Sequence, residues 1–379
     1  MDSLLSVPQG SFVLNRLPHR PNELLRAWDA ADEYLLEHLA ELEQPATCRV
    51  LIVNDTFGAL AVALHHLQPT AMSDSFLSQQ ATRVNLSHNQ ISESNVTLLS
   101  SLAPLSGTYD WVLVKLPKTL ALLEDQLIRI RAHVTPQTQV VFAGMVKAMP
   151  SSIWTLIERL LGKTTTSLAK KKARLIFAEL NPALPECLSP YPVSYQLEGT
   201  DFTIVNHANV FSRDSLDIGT RFFLSHLPEQ TEAQDIVDLG CGNGVLGIMA
   251  AQGNPQAKLH FVDESFMAVA SAEENFKHAF ADSRSAQFSV SDGLTGYAAQ
   301  TVDLILCNPP FHQQNTIGDQ LAVGMFKQSY KALRTGGELW VIGNRHLAYH
   351  APLKKLFGNC AVVASNAKFV IFKTSKLNL

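Results

Sequence analysis

The chain has 379 residues, 46% hydrophobic and 17% charged, with a formal net charge of −4. This excludes a disordered chain, suits two buried cores rather than one, and argues against a uniformly basic nucleic-acid binder. Five scattered cysteines form no C-x-x-C pair, no basic and apolar leader opens the chain, and no apolar run reaches membrane-spanning length. Neither structural zinc nor a disulfide framework is therefore expected, and a reducing cytoplasm is.

Residues 22–43 carry Leu24, Leu25, Trp28, Ala31, Tyr34, Leu35 and Leu39 at three- and four-residue spacing, which predicts a helix ended by Pro45. Residues 49–54 read as a buried strand. Asp55-Thr56-Phe57-Gly58-Ala59 then turns into an apolar helix over 60–67. Residues 109–118 hold another apolar strand, running into Lys115-Leu116-Pro117-Lys118, and 141–144 and 173–177 are two more. From Trp111 to Ala178 there are eleven Lys or Arg against three Asp or Glu, whereas an acid excess sits over 23–43. Such asymmetry suggests a phosphate-binding face, although a solvated surface would show it as well. Residues 181–192 contain four prolines and read as a linker, with a boundary expected between 185 and 186. A hairpin over 195–205 and a helix over 222–227 follow.

The most informative stretch comes next. Residues 236–247 begin as a strand ending in Asp238, break into Gly240-Cys241-Gly242-Asn243-Gly244, and enter a helix. Glycines allow a sharp turn and bring the main chain close to a ligand. Asp238-x-Gly240-x-Gly242-x-Gly244 fits an S-adenosylmethionine (SAM) site, and Gly242-x-Gly244-x-x-Gly247 fits a dinucleotide site. Downstream, a strand over 303–307 ends in Asn308-Pro309-Pro310-Phe311. That tetrapeptide is the mark of amino-group methyltransferases, and hydride transfer has no use for it.

The two halves repeat one another. The strand–turn–helix over 55–59 repeats that at Asp238, with one glycine where the later copy has four, residues 74–76 resemble 263–266, residues 109–118 lie against 302–311, 141–144 against 340–343, and 173–177 against 368–372. A repeat this long is a duplicated domain. Strands alternate with helices, so the expected class is α/β, two tandem Rossmann-like methyltransferase domains, 1–185 and 186–379. The first has lost the glycines and carries Lys115-Leu116-Pro117-Lys118 in place of Asn308-Pro309-Pro310-Phe311, so it is expected to be degenerate.

Phe211-Ser212-Arg213-Asp214-Ser215-Leu216-Asp217-Ile218-Gly219-Thr220, the turn at 238–244 and Asn308-Pro309-Pro310-Phe311-His312 resemble the bacterial ribosomal RNA guanine-N2 methyltransferases with tandem methyltransferase domains. Residues 27–36, 117–124 and 206–213 extend the resemblance over nearly the full length, to the members acting on the large subunit. The resemblance implies methylation of a guanine amine in 23S rRNA, with SAM as cofactor and the first domain helping to hold RNA. It also implies that Phe211, Gly219 and Thr220 line the methionine pocket. A monomer is expected.

On residue chemistry, Asp263 with Glu264 stands where both ribose hydroxyls of SAM would be bound, and Asp292 with Gly293 where the adenine amine would be. Asp238 is expected to hold the turn and to reach the amino-acid end of SAM through backbone or water. A guanine N2 is a poor nucleophile because its lone pair is delocalised. The Asn308 side-chain oxygen and the Pro309 carbonyl can each accept an amino hydrogen, Pro310 stiffens the segment, and Phe311 can stack on the base. No metal is required. Lys115, Lys118, Lys170, Lys171, Lys172 and Arg174 are the expected RNA contacts. At this stage 16S rRNA, adenine N6 or a protein glutamine remain as alternative acceptors, as do a nicotinamide oxidoreductase and a non-catalytic RNA-binding protein.

Overall fold

A computed structural model describes residues 3–19, 23–42, 47–229, 232–310 and 316–378, without the side chains of 282 and 316–319. The chain divides into two compact units, Met1–Tyr191 and Pro192–Leu379. Among the described residues, no helix is long and apolar enough to cross a membrane.

The first unit opens with an antiparallel hairpin, β1 (Leu4–Val7) and β2 (Gly10–Val13). Its sheet is built from β3 (Val50–Val53), β4 (Thr70–Ser73), β5 (Thr97–Ser100), β6 (Trp111–Lys115), β7 (Gln139–Met145), β8 (Thr164–Thr166) and β9 (Ala173–Ala178). The order is β5-β4-β3-β6-β7-β9-β8, with only β9 antiparallel to its neighbours. The helices are α1 (Ala30–Ala40), α2 (Ala59–Ala63), α3 (Phe76–His88), α4 (Leu120–Arg131) and α5 (Ser151–Leu160). Val50, Leu51, Ile52 and Val53 are all buried, because helices cover both faces of the sheet. An apolar run without alternation is what a parallel strand covered on both sides requires, and each such side chain contributes about 1.5–3 kcal/mol.

The second unit repeats this plan. A hairpin, β10 (Val193–Gln196) and β11 (Thr203–Asn206), precedes β12 (Asp235–Leu239), β13 (Lys258–Asp263), β14 (Ala286–Val290), β15 (Val302–Cys307), β16 (Leu333–Asn344), β17 (Ala361–Ser365) and β18 (Phe369–Ser375). The order β14-β13-β12-β15-β16-β18-β17 is that of the first sheet. Its helices are α6 (Ile218–Leu224), α7 (Val245–Gly253), α8 (Phe266–Phe280), α9 (Thr316–Ala332) and α10 (His350–Phe357). One polar contact recurs in both units. Asn85 on α3 donates to the Phe57 carbonyl and holds Asn15 beyond the first hairpin, and Asn275 on α8 donates to the Asn243 carbonyl and holds Val205 in the second.

Several elements differ from the sequence expectation. The helix expected over 22–43 starts at Ala30, because Asp29 caps the N–H groups of Ala31 and Asp32 while Asp32 caps the Asp29 N–H. The apolar spacing before it is not a buried face: Leu24 and Leu25 are exposed. The helix expected over 60–67 is α2 followed by a single 3-10 turn, His65–Leu67. The helix expected from 222 starts at Ile218, capped by Asp217. In the last strand the repeats align one residue away from the expected match. Val141 faces Phe177 and Trp340 faces Lys373, so Phe177 corresponds to Lys373 rather than Phe372. Strands buried on both faces lack the alternation that would have fixed the register.

Candidate active site

In the second unit, Leu239 at the end of β12 lies opposite Cys307 at the end of β15. The chain continues from β12 through β13 and β14 on one side, and from β15 to β16 on the other. The crevice beyond the strand ends at such a reversal is where open α/β sheets take ligands. Gly240 and Asn308 are the first residues beyond the two strands. A Cβ on Gly240 would lie 3.7 Å from the Asn308 carbonyl oxygen.

The glycines of the turn have different jobs. Gly240, Gly242 and Gly244 have φ of 72°, 54° and 81°, in the left-handed region that disfavours side chains. A Cβ on Gly242 would meet nothing within 4 Å, so this glycine leaves the approach open. A Cβ on Gly244 would come within 2.9 Å of Ala272, and one on Gly247 within 2.3 Å of the Phe261 ring, so these two let α7 pack closely. The N–H groups of Gly240 and Cys241 donate to the Val262 carbonyl, which pins the turn to β13.

Asp238 is fully buried beneath the turn. Its Oδ2 accepts the Gly247 N–H at 2.8 Å, and its Oδ1 has no partner among the described residues. Burial pushes this carboxyl up to about 8. Its side chain therefore fastens the turn to α7 from below. This contact also occupies a first-turn N–H that a dinucleotide pyrophosphate would use. Cys241 is likewise buried, with its thiol pushed up by burial. The Asn243 amide points into the hairpin, donating to Asn206 and to the Tyr195 hydroxyl. Any cofactor contact by Cys241 or Asn243 is left to the main chain.

Asp263, at the end of β13, accepts the N–H of Gly242 at 2.9 Å and that of Ser265 at 3.0 Å. Its carboxylate therefore reaches the turn, with Glu264 the next residue along. Asp292 is half-buried and burial raises its carboxyl. Gln328 on α9 holds this corner, donating to the Asp292 carbonyl and to Thr295 while accepting the Leu294 N–H. A Cβ on Gly293 would come within 2.1 Å of the Gln328 amide oxygen. Sequence reasoning missed Gln328, which lies more than thirty residues away on an element with no motif.

Asn308 Nδ2 donates to the Thr220 hydroxyl at 3.1 Å, and Asn308 Oδ1 is buried without a partner among the described residues. Thr220 lies in the first turn of α6, where Asp217 Oδ2 accepts its N–H at 2.9 Å and its hydroxyl at 3.4 Å. Gly219 packs on Phe369, and Phe211 is 64% exposed. Pro309 is buried and Pro310 exposed. Phe311 and His312 lie outside the described residues.

The first unit has other chemistry at the same places. Its turn has the same length, with Asn54 (φ 64°) at the position of Gly240 and Gly58 (φ 80°) at that of Gly244. Ile52 stands for Asp238, and the pinning carboxylate comes instead from Asp55, which accepts the N–H groups of Leu60 and Ala61. Ser73 stands at the place of Asp263. Lys115 stands at that of Asn308, with Nζ 2.8 Å from Asp29 and 2.7 Å from Asp32.

The residues expected to contact RNA differ in their surroundings. Lys115 is half-buried and its ammonium is paired with Asp29 and Asp32 of the same unit. Lys170 and Lys171 reach Glu37 and Glu33 on α1, so the basic stretch and the acidic segment neutralise one another within the unit. Arg174 is half-buried in β9 opposite Gly144. Lys118 and Lys172 are exposed, as are Lys147 and Lys163, and none of the four forms an ion pair with a described residue.

The chain matches two family models, the RLMG N-terminal domain over residues 2–182 and the methyltransferase small domain over 201–373. Ribosomal RNA large subunit methyltransferase G of Pseudomonas aeruginosa strain UCBPP-PA14 is 53% identical over 374 residues, covering 98% of this chain and 100% of that protein. The protein of that name from Erwinia tasmaniensis is 51% identical over 380 residues, covering 99% and 100%. Among solved structures, the T. thermophilus 16S rRNA N2 methyltransferase RsmC, in complex with AdoMet and guanosine, superposes with a TM-score of 0.78 at 21% identity, covering 98% of this chain and 97% of that one. That likeness bears on the fold.

Proposed function

This chain belongs to the family of ribosomal RNA large subunit methyltransferase G, and we propose that its second unit transfers a methyl group from SAM to the exocyclic N2 of a guanine in 23S rRNA. The observation that carries this reading is Asn308. It follows directly on a strand at the switch point, and its amide oxygen is buried and has no partner among the described residues. A buried acceptor left unmatched is costly, and an amino hydrogen would satisfy it. With the Pro309 carbonyl as second acceptor, Asn308 would draw the amine toward tetrahedral geometry and aim its lone pair.

The residues present fit SAM. Gly242 leaves room beside the turn, Asp263 stands where the ribose hydroxyls would bind, and Asp292 lies at the end of the next strand. When bound, SAM supplies an electrophilic methyl group and a neutral leaving thioether. The chain's share is orientation and a fixed field of acceptors. The methylated amine is acidic enough to lose its proton without a strong base. Phe311 is assigned to stacking on the base.

The first unit is assigned to RNA backbone binding in the cytoplasm, through Lys118, Lys147 and Lys172 rather than the neutralised lysines. Phosphate contacts position RNA without reading sequence, and the target guanine is cheapest to unstack in a loop or junction.

Incubation with labelled SAM and unmethylated 23S rRNA, followed by nucleoside analysis, tests the assignment, and N2-methylguanosine is expected. Asn308→Ala should keep SAM affinity within a few fold and lower turnover about 10²-fold or more. Label on another nucleoside, or transfer by that variant at the unmodified rate, would overturn the reading.

A further inference from the structure

We propose that Asp217 is a positioning residue for Asn308, acting through the Thr220 hydroxyl. This rests on the reading of Asn308 as the acceptor of the substrate amine. An asparagine amide can sit either way round, and only one way presents oxygen to the amine. The other presents an NH2 group, donor against donor, and binds no amine.

The structure holds three groups in line. The Thr220 hydroxyl has one proton, and Asp217 Oδ2, 3.4 Å away, is the acceptor toward which it can donate. With its proton on that side, the hydroxyl oxygen is left to accept from its other neighbour, and the group facing it is Asn308 Nδ2, at 3.1 Å. Oδ1 is thereby turned the opposite way, where no described residue meets it. Asp217 also accepts the Thr220 N–H at 2.9 Å, which fixes the hydroxyl's height on the helix.

Gly219 makes this possible. A Cβ there would lie 2.9 Å from Asp217 Oδ2 and 3.1 Å from the Phe369 ring. The carboxylate folds back over the first turn of α6 because residue 219 has no side chain. This gives Gly219 a role in the polar relay, in addition to the expected cofactor contact.

The duplication provides an independent check. Asp29 caps α1 as Asp217 caps α6, Asp32 occupies the helix position of Thr220, and Lys115 occupies the strand position of Asn308. The same three positions are bonded in the first unit, Lys115 to Asp32 at 2.7 Å and to Asp29 at 2.8 Å. The linkage is a property of the shared architecture. In the second unit neutral groups replace the ions, which leaves an amide whose orientation the linkage can set.

The test is single-turnover methylation of in vitro transcribed 23S rRNA at saturating SAM, with SAM affinity measured by calorimetry. Thr220→Val keeps the shape and removes the hydroxyl; with SAM kept saturating for the variant, it should lower the rate about 10-fold or more, the order of one lost hydrogen bond. Thr220→Ser should restore most of the rate. Asp217→Ala should slow the unmodified chain but not slow Asn308→Ala further, because a relay has nothing left to orient. Three results would overturn the proposal: Thr220→Val at the unmodified rate, a defect that raising SAM removes, or an Asp217→Ala loss undiminished on Asn308→Ala. An Asn308→Ala chain as fast as the unmodified one would instead remove the acceptor reading itself.

Discussion

Lys115→Ala should destabilise the first unit strongly while leaving SAM binding by the second intact. The Lys115 side chain is 12% exposed and that of Asp32 is 8% exposed, so both charges are largely withdrawn from water. Burial alone would lower the Lys115 ammonium, yet Asp32 and Asp29 outweigh it and hold it above the ordinary lysine value. Removing one partner of such a pair leaves a buried charge uncompensated, at a cost of about 3–5 kcal/mol. Replacing both partners by neutral groups that still bond should cost far less. The second unit shows which groups to use, so Lys115→Asn with Asp32→Thr should recover most of the loss. Urea unfolding followed by tryptophan fluorescence reads this directly. Of the 4 tryptophans, Trp28, Trp111 and Trp154 are in the first unit and Trp340 in the second. With a urea slope of about 1–3 kcal/mol per molar, the midpoint of the first transition should fall by roughly 1 M or more. A fall under about 0.3 M, or a double variant no more stable than the single, would refute the reasoning.

Three further outcomes are expected. Calorimetry on the full chain should saturate at one SAM per chain, since the first unit has Ser73 and Lys115 at the places of Asp263 and Asn308; a second equivalent would show that site to be alive. Asp238, held up at about 8 by burial, keeps a proton that the unfolded chain loses above about 4, so its contribution to stability falls as pH rises between those values. Asp238→Asn should therefore raise the melting temperature most near pH 8, with the gap closing toward pH 4; a gap independent of pH would contradict this. Lys118, Lys147 and Lys172 changed together to Gln should weaken 23S rRNA binding and flatten its salt dependence, whereas Lys170 and Lys171 changed to Gln should do so less; equal effects would return the basic stretch to a solvated surface.

Features that were legible in the sequence were local. The glycine turn, the strand ending at Asn308 and the repeat of strand–turn–helix units each lie within a dozen residues, and backbone rules read them directly. The helix start at Ala30 was missed because apolar spacing over Leu24 and Leu25 outweighed the capping signal of Asp29 and Asp32. The fate of the basic stretch could not be read, because Lys171 meets Glu33 across 138 positions and nothing in either segment encodes the other. The expectation treated two charge runs as two surfaces, whereas the fold lays one against the other. Gln328 and the bond from Asn308 to Thr220 are also long-range pairings of ordinary residues. The repeat itself held the missing signal. Lys115 matches Asn308 by strand register and Asp29 matches Asp217 as a helix cap, so a charged contact in one unit points to the corresponding polar contact in the other.

One asparagine contact separates what the two units must share from what they need not. Asn85 and Asn275 each donate to the carbonyl just before the glycine that starts the next helix, and they hold Asn15, two residues past the first hairpin, and Val205, within the second. The repeated plan therefore includes this contact as well as the strands and the turn. The two units share this asparagine but differ at the places of Asp263 and Asn308, where the first has Ser73 and Lys115. A contact kept in both units is one that the shared backbone plan requires, whereas the polar groups that differ are free of that requirement.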